Sequence, residues 1–132
     1  MFEREPIQTD IPCKQLRVLE QKLQIVEEEY RRFAIDECDV DEDTVAAKIK
    51  QARSGPQKNK RLQRIREAHM ALMKAKLDIA EEEYRRFAID ESDVDEQIVA
   101  TKIKQARLAP QKNMRLQRIH EAYKALMKAN SN

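Results

Sequence analysis

Three carboxylates at alternate positions, Asp39, Asp41 and Asp43, have the spacing at which a calcium loop begins. Such a loop also needs Gly at its sixth position for the turn and Glu at its twelfth to close the coordination sphere. Here those positions hold Thr44 and Lys50, and a matching stretch downstream has Gln97 in place of the third acid. Helix capping accounts for the same acids, because an Asp side chain accepts from free backbone amides and its charge suits the positive end of the dipole. His69 and His120 have no cysteine or second histidine at ligand spacing. A Cys–His nucleophile would draw on Cys13 or Cys38, and no third group orients the base. The abundant acids lie beside cationic neighbours, which keeps them ionised and unsuited to general-acid work. A single glycine leaves no Gly-rich phosphate loop. The expectation is a protein without enzymatic activity, with no catalytic residues, no cofactor and no metal.

One pattern dominates the chain. Residues 27–75 and 81–129 match at an offset of 54, and 39 of the 49 aligned positions are identical. A fixed period of this length marks a repeat architecture in which one helical or mixed unit stacks on its copy. Catalytic sites are seldom built from near-identical halves, so the doubling favours binding over chemistry.

The charge pattern offers the best candidates for contact. The net charge of +2 conceals an acidic stretch at 27–46 and a basic one at 47–76, and the second copy repeats the alternation. Lys58, Lys60, Arg61 and Arg64 cluster in the segment QKNKRLQRIR, and Lys112, Arg115 and Arg118 are their counterparts in QKNMRLQRIH. Several cations on one helix can neutralise phosphates, which supports nucleic-acid binding as the alternative function. Against it stand the lack of any zinc, ribonucleoprotein or helix-turn-helix signature, the burial expected for the aromatic residues, and the acidic stretches that can absorb the charge internally. Two exchanges between the copies add apolar surface, Ser54 to Leu108 and Lys60 to Met114. Leu108 and Met114 could cap the array or seat a partner.

The elements that carry these residues read as helices throughout. Charged residues make up 38% of the chain, with one Gly, four Pro and no Trp, a composition that suits solvated helices and not sheets. Leu16, Leu19, Leu23, Val26, Tyr30 and Phe33 alternate at spacings of three and four, an apolar helical seam over about residues 13–37. Asp39 with Glu42 three residues on predicts a capping box. It opens a short helix with Val45, Ile49 and Ala52 inward, ended by Gly55. Pro56 suits the first turn of the next helix.

Leu62, Ile65, His69 and Leu72 give that helix its stripe, and no breaker intervenes before Phe87. A single helix over about 57–91, roughly 50 Å long, is therefore predicted. Its early and late stripes point roughly 110° apart at 100° per residue, which predicts a twist between the units.

The fold expected is all-α: two three-helix units, tandem repeats sharing a long central helix, in an elongated molecule. The boundaries expected are a flexible tail at 1–12, repeat 1 at 13–75, repeat 2 at 76–129 and a C-terminal tail at 130–132. No apolar run reaches the roughly 18 residues that cross a bilayer. The start lacks a basic region followed by an apolar one, and Cys38 becomes Ser92, so a reduced, intracellular setting, cytoplasmic or nuclear, is expected. The partner expected is another protein or a second copy of the chain, not a membrane.

Overall fold

The computed structural model describes the backbone of residues 4–130 and the side chains from Lys14 to Asn130. Among these residues there is no strand. The order is α1 (Arg4–Arg32), a π-helical turn (Phe33–Glu37), α2 (Glu42–Ser54), α3 (Lys60–Arg86), a second π-helical turn (Phe87–Glu91), α4 (Glu96–Leu108) and α5 (Met114–Asn130). The two π turns begin 54 positions apart, as do α2 and α4, and α3 and α5. α1 starts upstream of the residue 13 read from the seam. α3 passes through Ala75–Ile79 without a break.

Local chemistry explains most of the boundaries, and it moves two of the expected ones. The N-cap of α2 is Asp41, not Asp39: its carboxylate accepts from Thr44 N at 3.3 Å and from Thr44 Oγ1 at 2.7 Å. Asp39 and Asp93 instead adopt the left-handed region, with φ of 57° and 53°. Each lets the chain reverse after its π turn, while Val40 N donates to Ala34 O at 2.9 Å and Val94 N to Ala88 O at 2.8 Å. Asp is one of the few non-glycine residues that occupies this region readily.

The other shift lies at the following turn. α3 starts at Lys60, not near Pro56, because Asn59 caps it by accepting from Arg61 N at 2.9 Å and Leu62 N at 3.1 Å. Asn113 does the same for α5. Gly55 is extended (φ −169°) and so is its counterpart Ala109 (φ −144°), so this turn makes no demand for glycine.

The chain divides into two compact units, the first comprising residues 1–72 and 129–132, the second residues 73–128. In the first, Tyr30, Ala34, Val45, Ile49, Ala52, Leu62 and Ile65 form the core, with Leu23, Val26, Ile35 and Val40 packed against it. Alanines at the contacts let helices approach closely, and Ile65 and Val45 are wholly buried. Arg53 and Glu27 pair across helices at 2.6 Å. Arg66, 7% exposed, is a buried charge satisfied by helix ends: its Nη1 donates to Arg53 O at 3.2 Å and to Ala129 O. Cations are favoured at the carbonyl end of a helix, where the dipole is negative.

In the second unit, Leu77, Ala80, Tyr84, Ala88, Val99, Ile103, Ala106, Leu116 and Ile119 form the core, joined by Ile89, Val94, Ala122, Tyr123 and Leu126. Arg107 and Glu81 repeat the ion pair at 2.6 Å. His120 takes the place of Arg66, and its Nδ1 lies 3.1 Å from Ala106 O. Fully burying one isoleucine side chain stabilises a fold by about 1.5–3 kcal/mol, so Ile65 and Ile119 are leading contributors to their respective units.

Candidate interaction surface

The basic segments sit at the starts of α3 and α5, held there by the Asn59 and Asn113 caps. Their arginines are exposed yet reach across to another helix of the same unit. Arg61 lies over the Phe33 ring at 3.8 Å, and Arg115 lies over Phe87 at 3.9 Å. Arg64 pairs with Glu29 at 3.8 Å, and Arg118 pairs with Glu83 at 3.3 Å. The α3 contacts reach the end of α1 and its π turn, and the α5 contacts reach the end of α3 and its π turn. The acidic stretches thus take up part of the charge that a nucleic acid would need. These contacts are half-exposed and individually modest, about 0.5–1 kcal/mol for a cation over a ring and less for the ion pairs. Lys58, Lys60 and Lys112 are exposed, and no acidic partner is seen for them among the described residues.

Apolar exposure concentrates elsewhere. Leu108 and Met114 are 74% and 73% exposed, the most exposed large hydrophobic side chains described. Leu108 borders an open groove of about 650 Å³ in the second unit, shared with Arg107, His120, Tyr123, Lys124 and Met127. Its wall is fixed by two contacts already described. Glu81 holds Arg107, and the hydrogen bond with the half-buried Glu81 carboxylate is the largest influence raising the Arg107 pKa. The Ala106 carbonyl holds His120. The lining contains cations and apolar groups and no carboxylate, which suits an acidic, apolar-bearing partner better than a cation.

The residues considered for chemistry do not converge. The Asp41 carboxyl is held below its ordinary value, chiefly by hydrogen bonds from Thr44, which leaves it occupied in capping. Among the described residues no group of three or more His, Cys, Asp or Glu side chains could hold a metal ion. Burial raises the Tyr30 and Tyr84 phenols above their ordinary range, with a smaller contribution from Cys38 at Tyr30. Raised phenols at core positions are protonated and inert. Cys38 is exposed.

The sequence-derived candidates thus form two clusters and a loose pair. Lys60, Arg61 and Arg64 share the first turns of α3 with Lys58 in the turn just before it, and Lys112, Arg115 and Arg118 flank the start of α5. Leu108 ends α4, and Met114 begins α5 across a short turn. Sequence reasoning missed the groove wall: His120 was weighed only as a metal ligand, and Tyr123 was not singled out. No protein-family model, curated protein or solved structure matches the chain. Among the described residues, no helix is long and apolar enough to cross a membrane.

Proposed function

We propose that this is a non-catalytic, intracellular tandem-repeat protein that binds other proteins as a scaffold, spacer or adaptor. In this reading two three-helix repeats share α3, and the molecule is elongated. The observation that carries it is the unbroken run of α3 from Lys60 to Arg86, which leaves one compact unit and enters the next without a loop. A helix without a hinge fixes a spacing that a flexible linker cannot. The exposed Leu108 and Met114 and the open groove give such a spacer a place to hold a partner. The test is affinity capture from a native extract with the full chain and with Ala75→Pro, which breaks α3 between the units. Wild-type chain should retain a defined protein and the variant should lose it. Retention of nothing by the wild type, with a monomer in light scattering, refutes the reading.

A second reading, nucleic-acid binding through the starts of α3 and α5, draws on the exposed Lys58, Lys60 and Lys112. It requires retention on a phosphate-rich resin that weakens steeply with salt and drops when these lysines become glutamate. Lysines are the cleaner targets, because changing Arg61 or Arg115 also removes a contact with Phe33 or Phe87.

A further inference from the structure

Each copy buries a donor at the same position, but only in the first unit does that donor hold a second helix end. There Arg66 is 7% exposed, and its Nη1 donates to Arg53 O and to Ala129 O. Ala129 belongs to the same unit, lies in the last turn of a helix and is 6% exposed. A helix end thus rests on this spot, its small side chain buried and one of its last carbonyls taken by a cation. The surroundings are covered too. Gly55 is buried, Leu72 is 5% exposed and Met70 is half-buried.

The second unit repeats the spot and leaves it open. At the positions 54 residues on, His120 replaces Arg66, Ala109 replaces Gly55, Leu126 replaces Leu72 and Lys124 replaces Met70. Ala109 and Lys124 are exposed, and Leu126 is only half-buried. His120 Nδ1 lies 3.1 Å from Ala106 O, which matches one of the two bonds of Arg66. Among the described residues no second acceptor meets the ring. The open groove of about 650 Å³ lies here.

We propose that this groove docks the carboxyl-terminal turn of a helix from another protein, with a small apolar side chain inward and its last carbonyls toward His120 and Lys124. The proposal rests on the protein-binding reading above and names the chemistry of the partner. Ala129 on Arg66 supplies the pattern, and charge agrees with it. The last turn of a helix carries carbonyls without intrahelical partners and the negative end of the dipole. Lys124 stands one turn beyond His120, on the same side of α5, so both can face such an end. Arg107 stays on Glu81 and serves as wall. Leu108, Tyr123 and Met127 offer the apolar contact, and no carboxylate lines the groove to repel the incoming end. One helical turn makes few contacts, so the Kd for an isolated peptide is expected at about 0.1–1 mM.

The probe is an alanine-rich helical peptide of about 15 residues. It is made with a free terminal carboxylate, with a terminal amide, and with a free carboxylate but a central proline that breaks the helix. Titrated into the isotope-labelled full chain, the first form should shift the signals of His120, Tyr123 and Met127. The amide form should bind about threefold more weakly, since it lacks the terminal charge. The proline form should not bind. Lys124→Glu should weaken the free-carboxylate form by about fivefold or more, because it places a like charge at the contact. His120→Arg installs the residue that the first copy carries and should strengthen binding by about threefold or more, through a charged donor. Circular dichroism checks that both variants fold, and Lys124→Glu, at an exposed position, decides the matter if His120→Arg does not. No shift in the groove at about 5 mM peptide, equal binding of the proline form, or an affinity that Lys124→Glu leaves unchanged each overturns the proposal. Failure of the peptide while the full chain still captures a protein from extract sinks the groove as a site and leaves the protein-binding reading standing. Failure of both removes both.

Discussion

Replacing Ile119 by alanine tests the energetics most directly. Ile119 is fully buried among Leu77, Tyr84, Val99, Ile103 and Leu116 in the core of the second unit. The change removes three carbons at about 0.8 kcal/mol each, roughly 2.4 kcal/mol of transfer free energy. Incomplete collapse around the vacated space adds to this, and the total should fall at about 3–4 kcal/mol. A unit of this size holds together by only about 3–8 kcal/mol, so the loss takes much of what the second unit has. Ile119→Val removes one methylene and should cost about 1 kcal/mol. The matched substitution at Ile65, fully buried in the first unit, should cost a similar amount there. Ile98, which is 49% exposed, supplies the control: its alanine variant should change stability by less than about 0.5 kcal/mol. Urea unfolding followed at 222 nm gives the numbers, and amide exchange assigns them to a unit. If Ile119→Ala cost no more than Ile98→Ala, the assignment of the core would be wrong.

Asp39 lies in the left-handed region, so Asp39→Val should destabilise by about 1–2 kcal/mol while Asp39→Gly is neutral or better; a urea midpoint unmoved by valine contradicts the turn described. The Asp41 carboxyl has a folded pKa below its unfolded one. Its contribution is therefore present above the unfolded value and is lost as pH falls through the depressed one, because the unfolded chain takes up the proton first. Asp41→Asn should flatten that acid limb in melting temperatures measured between about pH 4 and pH 2, and an unchanged limb argues against the cap. Glu81 is 13% exposed and pairs with Arg107, so Glu81→Gln should cost about 1 kcal/mol in chemical denaturation, more than Glu82→Gln at an exposed helical pair; equal losses would show that the cross-helix pair adds nothing.

The sequence could be read furthest where the interactions are local. Val45, Ile49 and Ala52 repeat at helical spacing, and all three are buried on α2. The absence of Gly and Pro between Leu62 and Phe87 suffices to keep α3 continuous, since nothing there frees the backbone from its hydrogen bonds. Two boundaries were misread because competing signals lie within three residues of each other. Asp39 and Asp41 are both good caps by type. The π turn decides between them: it carries the helix to Glu37, leaves Asp39 to make the reversal and brings Asp41 to the start of α2. The surface candidates were readable as types only. Arg61 and Lys60 are neighbours in one basic segment, yet Arg61 meets a phenylalanine ring and Lys60 meets water.

Period, punctuation and the doubled segment by themselves determine that this chain is helical and where most of its inward faces lie, because an α-helix is written in hydrogen bonds and contacts three or four residues apart. Tertiary structure alone decides which charges are exposed. Arg66 is buried against the Arg53 carbonyl while Lys60, in the same basic run, is exposed, and Leu108 is left uncovered beside a groove. Those outcomes depend on which groups from distant parts of the chain arrive alongside, and spacing along the sequence carries no record of that.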